Sequence, residues 1–384
     1  MYSFDEIAQR RYTDSYKWDV KPCELPMWVA DMDFKVDERI KDSIIKRAEI
    51  MAYGYSNVPD SFYEAYRDFF LARHDLDLKC EWMIFSTGVV PSISSIVRST
   101  TSLDDNVLIL SPVYNIFFNS IRNNHRNILV SDLIYKDYKY EIDWADLESK
   151  MKDPKTSLMI FCNPHNPCGN IWSLEELQRL VDMAVRYNVI IISDEIHCDI
   201  TTPGVKYNPM FKVAGGEKNV IMLASASKCY NLAGLHASVA IVRDKKLRYT
   251  VWRGINTDEC GENDFFCADA HSTALLDCRD WLDAMNLYVY NNKKYLEDYI
   301  NNNLPCLKLV HSDSLYLSWI DIKALNMDSD EFTILLRKKT GLYISSGKAY
   351  GDNGNGFVRI NLATSLANVK DACERLRVAI SLLK

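Results

Sequence analysis

An α/β protein built on a parallel sheet is the fold this sequence predicts, and three observations carry the prediction. The apolar runs Leu158–Phe161, Val189–Ile192 and Val220–Ala224 each have the length of a buried strand. Each is closed by a polar cluster: Asn163-Pro164-His165-Asn166-Pro167, Asp194-Glu195-Ile196-His197 and Ser225-Ala226-Ser227-Lys228. Between the first two runs, Ser173 followed by Glu176 forms a capping-box pattern that starts a helix, the connection parallel strands need. The three clusters then share the carboxyl edge of one sheet, where open α/β sheets bind ligands.

Composition narrows the classes. A chain of 384 residues can bury a large core and suits one large domain plus a smaller one. Its 48% apolar and 25% charged residues are ordinary for a globular protein in water. A net charge of −7 offers nucleic acid or an anionic membrane no electrostatic attraction, so neither is expected as a partner. No apolar run spans a bilayer, and the first residues lack the basic-then-apolar layout of a signal peptide. Eleven cysteines fall without a Cys-x-x-Cys pair or zinc-ligand spacing. A cytoplasmic protein with reduced thiols is expected.

Along the chain, residues 1–45 read as an arm of extended backbone leading into a first helix. Its carboxylates Asp31 and Asp33 lack further ligands at a useful spacing, so no metal is expected. Thr87-Gly88-Val89-Val90-Pro91 reads as a strand end turning into a helix, whose first N–H groups can hold an anion. Val107–Leu110 is a further buried strand, with Tyr114 just beyond it. Asp194 closes a strand of β-branched residues, and a carboxylate buried there needs a cationic partner. Lys228 at a strand end suits a Schiff base with an aldehyde, while Ser225, Ser227 and nearby N–H groups hold a phosphate. Residues 262–300 read as helical, and from about 290 onward strands and helices alternate. The glycine-rich loop 351–356 lacks the strand-to-helix setting of a nucleotide site. It leads to Arg359 on a strand, where a planar guanidinium can grip a carboxylate.

Read in order, the motifs Met27–Phe34, Tyr53-Gly54-Tyr55, Thr87–Pro91, Pro112-Val113-Tyr114, Asn-Pro-His-Asn-Pro, Asp-Glu-Ile-His, Ser-Ala-Ser-Lys and Gly356–Asn361 resemble one family throughout. The chain is similar to fold-type I pyridoxal 5'-phosphate (PLP) enzymes of the aminotransferase class I/II superfamily, and within it to the cystathionine β-lyase-type C–S lyase branch. The resemblance implies a mainly parallel seven-stranded sheet in a large three-layer domain at 46–285. The arm 1–45 would contribute to a small α/β domain at 286–384.

It also implies roles. Lys228 carries the Schiff base and acts as general base, Asp194 keeps the cofactor ring nitrogen protonated, and Asn166 donates to its phenolate oxygen. Tyr114 stacks on the ring and borders the substrate. Gly88, Val89, Val90, Ser225 and Ser227 bind the phosphate. Tyr55 reaches across a homodimer interface to the partner's cofactor phosphate, although two tyrosines around a glycine also suit simple packing. Arg359 holds the substrate carboxylate, with Val29 and Ala30 at the mouth of the site. His197 stands where many relatives carry tyrosine; support of the cofactor and plain packing both suit it. Two departures stand out: Cys168 replaces a usual threonine, and His236 replaces a phosphate-binding arginine.

The implied reaction is α,β-elimination of L-cystathionine or a related cysteine S-conjugate to a thiol, pyruvate and ammonia. An aminotransferase would share every step up to the carbanion. A lyase with an added regulatory protein-binding role is a further alternative.

Overall fold

The structure is a computed structural model and describes residues 2–213, 215 and 218–383. Its main sheet has seven strands: β1 (Met83–Ser86), β2 (Asn106–Ser111), β3 (Asn127–Asp132), β4 (Thr156–Cys162), β5 (Ile190–Asp194), β6 (Val220–Ala224) and β7 (Ser238–Val242). The order across the sheet is β1-β7-β6-β5-β4-β2-β3. β7 alone runs opposite to the other six strands. The three runs expected from the sequence are adjacent, and register sets Cys162 beside Asp194 and Asp194 beside Leu223. Their polar ends therefore stand side by side.

Successive side chains of a strand point to opposite faces, and here both faces are buried. On β4, Leu158 and Ile160 join one core while Met159 and Phe161 join the other; on β5, Ile192 and Ile191 divide the same way. Burial on both sides is why these strands read as unbroken apolar runs rather than alternating ones.

Helices α1 (Glu38–Ala48) and α2 (Asp60–His74) flank the Tyr53-Gly54-Tyr55 segment, and α3 (Val89–Thr100) follows β1. Between β4 and β5 lies α4 (Leu174–Tyr187). Its capping box forms as the sequence suggests, with Ser173 Oγ accepting the Glu176 N–H at 3.1 Å and Glu176 accepting the Ser173 N–H at 2.8 Å. The long helix α5 (Arg279–Asn303) leads to a second, antiparallel sheet. That sheet holds β8 (Lys308–Leu309), β9 (Leu317–Asp321), β10 (Ser345–Ser346) and β11 (Phe357–Asn361) in the order β8-β9-β11-β10. Trp18, Leu25 and Met27 of the N-terminal arm pack in its core with Ile320, Ile360 and Leu376.

The helical reading of 262–300 needs correction. Residues 262–266 are not helical, a helix starts at Cys267, and it breaks at Cys278 before α5 begins. Asp264 Oδ1 accepts the N–H groups of Phe266 and Cys267, both at 2.8 Å, and this side-chain turn competes with the helix upstream. All eleven cysteines are free thiols, and among the described residues no helix is long and apolar enough to cross a membrane.

Candidate active site

The carboxyl ends of β4, β5 and β6 open onto a cavity of about 270 Å³. Its wall brings together Ala30, Gly88, Val89, Val90, Tyr114, Asn166, Asp194, His197, Ser227 and Lys228, residues drawn from six separate stretches of chain.

Lys228 Nζ donates to the Ala30 carbonyl at 2.7 Å. Burial holds its amine below the usual lysine range; Asp31 and Asp194 oppose that shift and Arg359 adds to it. A less basic, less solvated amine is a better nucleophile near neutral pH. Asp194 is 4% exposed, accepts the Ile196 N–H at Oδ1 (3.1 Å), and forms no ion pair among the described residues. Burial pushes its carboxyl up to about 7, against the lowering pull of the Ile196 N–H and Lys228. Such a carboxylate is poised for a cation supplied from the cavity. Neighbouring Glu195 is tied down by the Ser193 hydroxyl at 2.6 Å and the Met210 N–H at 3.0 Å.

His197 is buried, and its Nδ1 has no partner. Burial, with Lys228 and Arg359 adding to it, keeps the imidazole neutral. Asn166 Oδ1 accepts Arg359 Nη1 at 3.1 Å, and Arg359 Nη2 donates to the Trp28 carbonyl at 2.9 Å. The guanidinium lies 4.8 Å over the Tyr350 ring, and its buried Nε is left without a partner. Tyr114 stays a neutral phenol, since burial pushes it up to about 12. Gly88 is the residue before α3, so it and the first residues of that helix present N–H groups with no intrahelical acceptor.

The arm that crosses the site is held by charge. Lys17, with its side chain 1% exposed, pairs with Asp33 at 2.8 Å, Trp18 Nε1 donates to Asp33 at 2.8 Å, and Arg10 reaches Asp31 at 2.7 Å. The two aspartates therefore organise the loop.

The aminotransferase class I and II family model matches residues 30–376. The chain belongs to that family. Cystathionine beta-lyase PatB of Bacillus subtilis (strain 168) is 34% identical over 387 residues, covering 99% of this chain and 100% of PatB. A PLP-bound protein from Clostridium difficile 630, provisionally assigned as an aminotransferase, superposes with a TM-score of 0.96 at 36% identity, over 99% of this chain and 100% of that one. The PLP-bound C–S lyase from Staphylococcus hominis gives a TM-score of 0.93 at 32% identity, over 99% of both chains.

Within this aminotransferase class I and II protein, four residues singled out in the sequence are not on the cavity wall. Arg359 reaches it through Asn166. Val29 is held by its carbonyl, which accepts Asn361 Nδ2 at 2.6 Å. Ser225 is buried, donates to the Ala237 carbonyl at 2.6 Å and accepts the Ser227 N–H at 3.1 Å. Tyr55 is wholly exposed on the single chain.

Other wall residues escaped the sequence reading. Cys162, the last residue of β4, faces the cavity, as does Ile196. Cys162 could have been found from its place one residue before the Asn-Pro motif. His236 also stands on the wall, at the position of the missing arginine. Away from the site, His74, Cys198 and Asp199 bring donor atoms within 4.8 Å of one another beside a larger depression of about 780 Å³. Arg73 Nε already meets Asp199 there at 2.9 Å.

Proposed function

We propose that this protein is a PLP-dependent carbon–sulfur lyase that cleaves L-cystathionine or a related cysteine S-conjugate by α,β-elimination. One observation carries the reading: a lysine amine and a buried, unpaired carboxylate face one cavity in a chain 34% identical to a cystathionine β-lyase along its whole length.

The residues fit PLP. The orphaned His197 Nδ1 and the Asn166 amide suit the phenolate oxygen, and Asp194 suits a protonated ring nitrogen. Lys228 suits the aldehyde, and Tyr114 the ring face. For the phosphate there are Gly88, Val89, Val90 and Ser227, with Ser225 placing Ser227 through its N–H. Tyr55 would serve the phosphate of a second copy in a homodimer, which gives an exposed tyrosine a use. When bound, the cofactor supplies an electron sink for negative charge at the substrate α-carbon.

The chain's own residues do the rest. Arg359 holds the substrate carboxylate, using the Nε that lacks a protein partner. Val29 and Ala30 border the mouth. Lys228 Nζ, as a free amine, takes the α-proton. The Cβ–S bond then breaks, the sulfur leaves with the bonding pair and takes up a proton, and water converts the three-carbon remainder to pyruvate and ammonia. The two separate sheets support a division into an arm at 1–45, a large domain at 46–285 and a small domain at 286–384. The second sheet packs one face on its own core around Ile320 and Ile360 and lends Leu317, Trp319 and Phe357 of the other to the large core.

The family match and the Clostridium difficile neighbour favour a second reading, an aminotransferase. Pyruvate release from L-cystathionine without any added keto acid separates the two. Pyruvate in step with thiol establishes the lyase. Conversion of the bound cofactor to its amine form, with no pyruvate, establishes the aminotransferase.

A further inference from the structure

The Ala30 carbonyl on the cavity wall accepts two hydrogen bonds, from Lys228 Nζ at 2.7 Å and from the Tyr316 hydroxyl at 2.9 Å. The donors come from different sheets: Lys228 follows β6, and Tyr316 immediately precedes β9. The segment around Ala30 belongs to no strand, yet each of its carbonyls is held by side chains. Trp28 accepts from Arg359 and from Ser345 Oγ (3.1 Å), Val29 and Asp31 accept from Asn361 Nδ2 (2.6 Å each), and Met32 accepts from Asn231 Nδ2 at 3.2 Å. The direction of the Ala30 carbonyl is therefore set rather than averaged.

Tyr316 is 1% exposed, with its ring 6.2 Å from that of His197. Burial keeps the phenol protonated, so its hydroxyl remains a donor. An amine that donates one N–H to a fixed carbonyl gives up free rotation of its head group. Its lone pair is then confined to directions that the carbonyl leaves open, and reaction geometry depends on such confinement.

We infer that Tyr316 is a positioning residue for Lys228: by fixing the Ala30 carbonyl, its hydroxyl orients the free lysine amine for proton transfer at the substrate α-carbon. The inference rests on the proposed role of Lys228 as general base, which elimination and transamination share. On taking the α-proton the amine becomes an ammonium, and one of its three N–H bonds still has Ala30 as acceptor.

The test uses PLP-loaded protein and L-alanine in D2O, because alanine has no leaving group at Cβ and its α-hydrogen exchange reports proton removal alone. Tyr316→Phe is expected to slow exchange about tenfold or more, with the PLP dissociation constant and the alanine concentration at half-maximal rate unchanged. Exchange within about twofold of wild type, or a fall matched by lost PLP affinity, overturns the inference. No exchange by the wild type overturns it too. Exchange by the wild type without pyruvate from L-cystathionine instead sinks the lyase reading and leaves this one standing. Should Tyr316→Phe not fold, 3-fluorotyrosine at position 316 alone keeps the ring and acidifies the hydroxyl. A changed exchange rate then supports the role of Tyr316, and an unchanged one overturns it.

Discussion

Replacing Asp194 with asparagine removes an ionisable proton from the cavity wall while keeping the side chain's shape. In cofactor-free protein, burial raises that carboxyl from 3.8 to about 7. Ionising it there costs about 4 kcal/mol more than in the unfolded chain. An acid whose pKa is raised by folding binds its proton more tightly in the folded state, so it makes stability fall as pH rises. The penalty is absent below 3.8, grows between 3.8 and about 7, and is complete above that. Asparagine never bears it, although its amide would bring an unmet donor costing about 1–3 kcal/mol at every pH.

The variant's stability relative to wild type should therefore improve by about 2–3 kcal/mol between about pH 5 and about pH 8. Glu195, pushed up to about 8 by burial, titrates in the same window in both proteins and largely cancels. Denaturant unfolding of both cofactor-free proteins at the two pH values measures the difference. A pH-independent difference, or one that moves against the variant as pH rises, refutes the claim that burial dominates at Asp194. With PLP bound the advantage turns into a loss: turnover should fall by about 10²–10³-fold, because the preorganised charge is gone.

Arg359→Ala should lower kcat/KM for L-cystathionine by about 30-fold or more, since truncating a buried, hydrogen-bonded charge pair costs about 2–5 kcal/mol. An unchanged kcat/KM would place the carboxylate elsewhere. Tyr55→Phe should raise the PLP dissociation constant about tenfold, from losing one hydrogen bond to a charged group. Hybrid dimers of Tyr55→Phe and Lys228→Ala subunits should regain a site with both groups intact. Failure of the mixture to exceed the separate variants argues against sharing across an interface. Asp33→Ala should destabilise the protein by about 3–5 kcal/mol, leaving the buried Lys17 ammonium with only Asp31, its carbonyl at 3.2 Å and its carboxylate at 3.6 Å. A thermal and denaturant loss below about 1 kcal/mol would show that Asp31 suffices.

Much of this site is legible in the order of residues alone. Lys228, Asp194, Asn166 and His197 each follow a long apolar run, and burial of such runs on both sheet faces leaves only the strand ends free to be polar. Gly88, Val89 and Val90 are readable for a similar local reason, a strand end turning into a helix that proline starts well. The break at Cys278 is not, because no proline or glycine marks it in the sequence.

By itself, then, the sequence determined the sheet class, the family and most of the residues that meet at the cavity, because strand length, apolar content and strand-end chemistry are local properties. Tertiary structure alone decided what those residues do to one another. Asn166 and Arg359 are 193 positions apart, and Ala30 and Tyr316 are 286 apart. Such bonds exist only once two sheets and an N-terminal arm have packed together, and no local periodicity encodes that packing. Burial, which moves Asp194 and Lys228 in opposite directions, arises at the same step, since it is a property of what surrounds a residue in space.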